Sequence, residues 1–117
     1  KILMAEDDET SQMLLSVLLQ EFSNEILIAP NGKKAIEIYR NNPDIDLILM
    51  DIQMPEMNGY EAARQIRLLN KRVIIIAQTA YGILGDCEKA IESGCNDYMT
   101  KPISQDAISG LIHKYFR

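Results

Sequence analysis

The stretches Leu47-Ile48-Leu49-Met50 and Val73-Ile74-Ile75-Ile76-Ala77 are apolar without interruption, and each has the length of a strand. A strand with one wet face alternates polar and apolar residues. An uninterrupted run is expected of a parallel strand covered on both faces. Other apolar runs open the chain and recur between segments of helical periodicity. The pattern predicts strands at 1 to 5, 25 to 29, 46 to 50, 73 to 77 and 96 to 98, with helices at 9 to 22, 32 to 41, 58 to 69, 84 to 92 and 104 to 116. Five strand-helix units in succession make an open α/β sheet. Asn31-Gly32 and Asn58-Gly59 mark turns, Pro43 cannot lie inside a helix, and Gly94 stands where a helix end needs a left-handed residue.

With 117 residues and 47% hydrophobic content, the chain fills one core, and residues 1–117 are expected to form one domain. A formal charge of -5 and the lack of a basic stripe argue against a nucleic-acid surface. Cys87 and Cys95 are too few for a disulfide framework or a zinc site, which points to packing roles in a reducing compartment. No segment approaches the ~20 apolar residues of a membrane span, so this domain is expected to make no membrane contact. The absence of an initiating Met and the helical pattern still running at Phe116-Arg117 suggest a domain from a longer chain.

In an open parallel sheet, functional groups collect at the carboxyl ends of the strands. Here those ends carry Glu6-Asp7-Asp8, then Asp51, then Gln78-Thr79-Ala80, then Tyr98-Met99-Thr100-Lys101-Pro102. Clustered carboxylates repel one another, and a hard divalent cation relieves the repulsion. Mg2+ suits an acid cluster without histidine or thiol, and it leaves positions open for phosphate oxygens. Lys101 supplies a point charge and Thr79 a hydroxyl donor, the supports that phosphoryl transfer needs, with Asp51 as nucleophile. Each has a plainer reading. Asp8 and Glu9 suit a helix N-terminus, Lys101 taken singly reads as a solvated lysine, and Thr79 as a turn residue. Met54 and Met57 read as packing, and His113 as an exposed helix residue.

The runs Lys1-Ile2-Leu3 with Glu6-Asp7, Leu49 through Gly59 (LMDIQMPEMNG), Ile75-Ile76-Ala77-Gln78-Thr79-Ala80 and Asp97-Tyr98-Met99-Thr100-Lys101-Pro102 together resemble the response-regulator receiver domains of two-component phosphorelay signalling. The resemblance spans essentially the whole chain. It implies a flavodoxin-like three-layer sandwich, a five-stranded parallel sheet of order 2-1-3-4-5 flanked by five helices. By the same resemblance Asp51 is the phosphoacceptor, Asp7 a direct metal ligand, Glu6 an acid that holds metal through water, and Gln53 a backbone-carbonyl ligand. Thr79 matches the switch hydroxyl, Lys101 the phosphate-binding lysine, Pro102 a cis-proline and Tyr98 the aromatic whose rotamer reports activation. Glu6 stands where Asp is commoner, and Gln78 is polar near the end of an apolar strand. Gln53 and Tyr81 occupy the two positions that, in the family, tune acyl-phosphate lifetime.

The implied cycle is self-catalysed transfer of a phosphoryl group from phosphohistidine to Asp51 with Mg2+, followed by dephosphorylation. Thr79 and Lys101 would be drawn to the new anion and Tyr98 would swing inward. The partners implied are a sensor histidine kinase or a histidine phosphotransfer domain, with a phosphorylation-dependent dimer as a further option. The texture around Tyr81-Gly82 and from Gly94 to Tyr98 resembles receivers of hybrid sensor kinases, which would place the domain in the cytoplasm, free or tethered to a membrane sensor. On the first helix, Leu15, Leu19 and Phe22 form one apolar stripe and Met13, Leu14 and Val17 another, so one is available for docking. Two alternatives remain: a phosphorylation-independent interaction module, and an aspartyl-phosphate phosphatase. The haloacid dehalogenase type of phosphatase needs an acid two residues after its nucleophile, where Gln53 stands.

Overall fold

The computed structural model describes residues 1–54, 57–79, 86–101 and 103–116. Strands β1 (Ile2–Ala5), β2 (Ile26–Ala29), β3 (Leu47–Asp51), β4 (Ile74–Thr79) and β5 (Asp97–Thr100) alternate with helices α1 (Glu9–Leu19), α2 (Gly32–Asn41), α3 (Gly59–Leu69), α4 (Asp86–Glu92) and α5 (Gln105–Tyr115). All strand pairs are parallel, in the order β2-β1-β3-β4-β5, as the resemblance implies.

Strand alternation sorts the side chains into two cores. Leu3, Ala5, Ile48, Met50, Ile75 and Ala77 face α2, α3 and α4, where they meet Ile36, Tyr39, Ala62, Ala63, Ile66 and Ala90. Ile2, Met4, Leu47, Leu49 and Ile76 face the other way, against Leu15 and Leu19 of α1 and Ile108 of α5. Both faces are therefore dry, which is why the central strands tolerate no polar residue before their carboxyl ends. Complete burial of a side chain as large as Tyr39 or Ile76 contributes roughly 1.5–3 kcal/mol.

Local chemistry starts the helices where the sequence predicts. Asp8, Asn31, Asn58 and Ser104 cap α1, α2, α3 and α5, accepting from the backbone N–H of Ser11, Lys34, Glu61 and Ala107. Each such cap is worth about 1 kcal/mol. Past the end of α4, Gly94 adopts φ 101°, the left-handed conformation that glycine admits without strain.

Several boundaries differ from the sequence reading. Helix α1 stops at Leu19 rather than 22, because the chain turns at Gln20–Glu21; Phe22 donates its N–H to the Leu19 carbonyl and still packs on the α1/α5 core. Strands β3 and β4 run on to Asp51 and Thr79, so these two candidate residues are the last rungs of the ladder rather than the loop after it. Strand β5 lies two residues later than predicted at its end, because the longer β4 pairs Gln78 with Met99 and Thr79 with Thr100. Of the predicted helix 84 to 92, the first two positions lie outside the described residues.

At the amino edge of the sheet, Lys1 and Ile2 border one cavity with Ile112, His113 and Phe116 of the last helix and its end. The carboxyl edge lies at the opposite end of the strands.

Candidate phosphoryl-acceptor site

Register and alternation together build the site. Ala5 pairs with Met50, which sets Glu6 beside Asp51, and Asp51 in turn pairs with Gln78. All three continue the alternation of Met4, Leu49 and Ile76, so they form one polar row on the α1/α5 side, at the end of otherwise apolar strands. Glu6 is kept in the sheet by its N–H bond to the Ala29 carbonyl (2.9 Å), and its own carbonyl accepts from Gln12 Nε2 (2.6 Å). Gln12 was not singled out by the sequence; its signal was a polar residue one turn into a helix that starts beside the acids.

Glu6 and Asp51 are buried, whereas Asp7 is exposed. Lys101 Nζ reaches both buried acids, at 2.8 Å from Asp51 Oδ2, and at 3.2 and 3.4 Å from Glu6 Oε2 and Oε1. The other Asp51 oxygen, Oδ1, accepts the Gln53 backbone N–H at 3.0 Å, so the turn after β3 fixes the carboxylate plane. Gly59 permits that turn: its N–H bonds the Ile52 carbonyl at 3.0 Å, and a Cβ there would overlap the Asp51 carbonyl. Lys101 is held by the ladder as well, its N–H donating to the Thr79 carbonyl at 2.7 Å.

The electrostatics follow from this packing. The Glu6 carboxyl is pushed up to about 7, first by burial, then by hydrogen bonding to and the negative charge of Asp51, with Lys101 opposing. Burial works against the Lys101 ammonium, yet the hydrogen bonds and charges of Asp51 and Glu6 outweigh it and hold its pKa above the ordinary value. One cation thus holds two buried acids that would otherwise repel.

Glu6, Asp7 and Asp51 each offer a carboxylate oxygen, and these lie within 4.8 Å of one another. The donor set is all oxygen, with neither imidazole nor thiolate, which fits a hard cation such as Mg2+ and not zinc. Gln53 is exposed and adjoins the cluster through its backbone.

Other residues marked by the sequence stand apart. Thr79 continues the alternation of Ala77, toward the opposite face from Asp51, and among the described residues its hydroxyl makes only a long 3.5 Å bond to the Met99 carbonyl. Tyr98 is 37% exposed. Asp8 is a helix cap, engaged by the Ser11 N–H and hydroxyl, as its plainer reading had it. Met54 and Met57 pack on the α2/α3 core, Cys95 is buried with its thiol pushed up to about 11 by burial, and His113 is exposed. Pro102 and Tyr81, together with the peptide bond before Pro102, lie outside the described residues. On α1, Leu15 and Leu19 are buried while Met13, Leu14 and Val17 are exposed, so the second stripe is the free one.

The chain is similar to known proteins along nearly its whole length. Residues 2–113 match the family model described as response regulator receiver domain. Hybrid signal transduction histidine kinase I of Dictyostelium discoideum is 40% identical over 97% of this chain, which spans only 7% of that protein. Among solved structures, the co-crystal of the Saccharomyces cerevisiae histidine phosphotransfer signaling protein Ypd1 with the receiver domain of its downstream response regulator Ssk1 matches with TM-score 0.90 and 36% identity, over 97% of this chain and 86% of that one. The receiver domain of sensor histidine kinase PA1611 from Pseudomonas aeruginosa, with a magnesium ion coordinated in its active site cleft, matches with TM-score 0.88 and 31% identity, over 97% and 94%.

Proposed function

The chain belongs to the response regulator receiver domain family, and from that premise we propose that it accepts a phosphoryl group from a partner's phosphohistidine onto Asp51. An Asp51 carboxylate oxygen attacks phosphorus, the P–N bond to the imidazole breaks, and the ring nitrogen keeps the electron pair. The observation that carries this reading is the buried Asp51 carboxylate, held by Lys101 at 2.8 Å within a cluster of three acids.

The chain's own residues supply most of the transition-state support. The Gln53 N–H holds Asp51 Oδ1 and so presents the carboxylate in one orientation. Lys101, already on Oδ2, offers its ammonium to the incoming phosphate oxygens. Thr79, on the last rung of β4, carries a hydroxyl whose present bond is long and is exchanged for one to the phosphoryl group. That movement leaves room for half-exposed Tyr98 to turn inward and alter the β5 surface. Glu6, Asp7, Asp51 and the Gln53 carbonyl would hold Mg2+, which when bound neutralises charge on the acids and the transferring group.

The partner is a histidine kinase core or a histidine phosphotransfer domain, and it docks on the exposed Met13, Leu14 and Val17 of α1. A similar receiver domain crystallises with a histidine phosphotransfer protein, which supports that class of partner. A phosphorylation-independent module needs none of the acid–lysine geometry that this chain retains. A phosphatase acting on outside substrates lacks its second acid, since Gln53 occupies that place.

The test is incubation with acetyl phosphate and Mg2+, borohydride trapping and mass spectrometry. Modification at Asp51, lost in Asp51→Asn, is expected. Labelling that persists in Asp51→Asn overturns the assignment.

A further inference from the structure

Between Glu61 and Asp86 the sequence carries four cations, Arg64, Arg67, Lys71 and Arg72, and no acid, although the whole chain has a formal charge of -5. Two of the four are spent within the fold: Arg64 pairs with Glu61 at 3.1 Å, and Arg67 binds the Gly94 carbonyl and the Asn96 side chain. Lys71, Arg72 and Arg40, the last at the end of α2, are exposed and make no ion pair among the described residues. They frame an apolar surface at the end of α3. Leu68 is 86% exposed, the most of any large hydrophobic side chain among the described residues, and Leu69 beside it is 47% exposed. Leu69 also lines a cavity of about 220 Å³ with Tyr39, Arg40, Pro43 and Asn70, between the ends of α2 and α3. Asn70 holds this corner in place: its Nδ2 donates to the Tyr39 hydroxyl at 2.7 Å, its Oδ1 accepts the Arg72 N–H at 2.7 Å, and its carbonyl accepts from Arg67 at 3.2 Å. Arg40 alone would suit a helix C-terminus, but Lys71 and Arg72 lie beyond α3, and no helix end calls for two adjacent leucines in water.

We propose that this corner docks an acidic amphipathic helix of a partner protein, with one large apolar side chain in the α2/α3 cavity and carboxylates on Arg40, Lys71 and Arg72. Charge complementarity selects the occupant. Free cations around an apolar centre attract carboxylates and repel a lysine-rich surface. An apolar anchor seated beside Leu69 gains by leaving water, the usual way a helix lies in a groove. A nucleic acid needs a longer basic track and aromatic faces for its bases, whereas the Tyr39 ring is buried. The corner belongs to the α2/α3 layer, on the opposite face of the sheet from α1, and lies at the start of β4, away from Asp51. A phosphodonor seated on α1 therefore does not cover it. The inference goes beyond the phosphoacceptor reading and does not rest on it.

The experiment titrates the domain with a fluorescein-labelled helical peptide of about 16 residues, leucine along one face and glutamate elsewhere, followed by anisotropy and backbone amide NMR. Saturable binding with shifts centred on Leu68, Leu69 and Lys71 is expected. On the wild type, the same peptide with lysine for glutamate, or with serine for leucine, is expected to bind at least about tenfold more weakly. The double variant Lys71→Glu, Arg72→Glu and the single variant Leu68→Ser are expected to weaken the glutamate peptide by a similar factor. All three positions are exposed, so both variants should melt with the wild type and keep acetyl phosphate labelling of Asp51. No binding, equal binding of the lysine peptide, shifts centred on α1, or undiminished affinity in either variant overturns the proposal. So does a thymidine oligonucleotide that binds more tightly than the glutamate peptide, or sedimentation showing the corner closed by a second copy of the chain.

Discussion

Lys101 and Asp51, fifty residues apart in sequence, meet at 2.8 Å, and the ammonium that joins them also lies within 3.2 Å of Glu6. Removing it with Lys101→Met leaves two buried acids facing each other. Stability is expected to fall by about 1–3 kcal/mol at pH 8 and by less at pH 5, where Glu6 carries its proton. Urea denaturation at the two pH values measures the difference, and equal losses would contradict the paired-acid account.

The pH dependence of the wild type has a definite sign. Glu6 titrates near 7 in the fold against an ordinary value of 4.5, so between those values the folded state binds more protons than the unfolded chain. Its contribution is fully present below about 4.5 and is lost as the pH rises through 7. Relative to wild type, Glu6→Gln is expected to gain stability as pH rises from 5 to 8. Denaturation curves across that range check it.

Divalent cation should reverse the same loss. Because the acids bind metal in their ionised form, magnesium chloride is expected to raise Tm more at pH 8 than at pH 6. At a concentration roughly tenfold above Kd the stabilisation is about 1.4 kcal/mol. Asp51→Asn should lose most of the shift. A thermal melt that ignores Mg2+ at both pH values would remove the metal site.

Two glycines should respond in opposite directions. Gly59→Ala places a methyl against the Asp51 carbonyl and the Ile52 backbone, which can yield only by moving β3's exit, at a cost of about 2–3 kcal/mol and with slower labelling of Asp51. Gly110→Ala, at an exposed position of α5 with nothing within 4 Å of the new Cβ, is expected to stabilise by about 0.5–1 kcal/mol. Thermal denaturation of both variants, with acetyl phosphate labelling, makes the comparison.

Val17→Glu tests the docking strip. Val17 is 65% exposed, so stability should change by no more than about 0.5 kcal/mol and labelling by acetyl phosphate should be unaffected. Transfer from a phosphohistidine protein should slow at least about tenfold, the effect of a charge buried at an interface core. Unchanged transfer would move the docking surface off α1.

The sheet and its order were legible because both faces of the central strands are covered, so Leu47 to Met50 and Val73 to Ala77 could not be read as surface. The acids and Lys101 were legible from their places at strand ends. What the sequence did not disclose depends on register. Nothing in the string says that Asp51 pairs with Gln78, or that Thr79 falls on the opposite face from Asp51; a shift of one residue would exchange those orientations. Gln78 was visible only as a polar residue in an apolar run, since its burial arises from the packing of α1 on that face of the sheet. The Arg67 clamp was likewise unreadable. Its guanidinium ties α3 to the Gly94 carbonyl and the Asn96 side chain across nearly thirty residues, and Asn96 in turn accepts the Ile75 N–H.

Lys1 and Phe116 border the same cavity at the amino edge, a full strand length from the acids. Residues from both extremes of the numbering thus meet at the foot of the sheet, and the reactive rim is built without either of them.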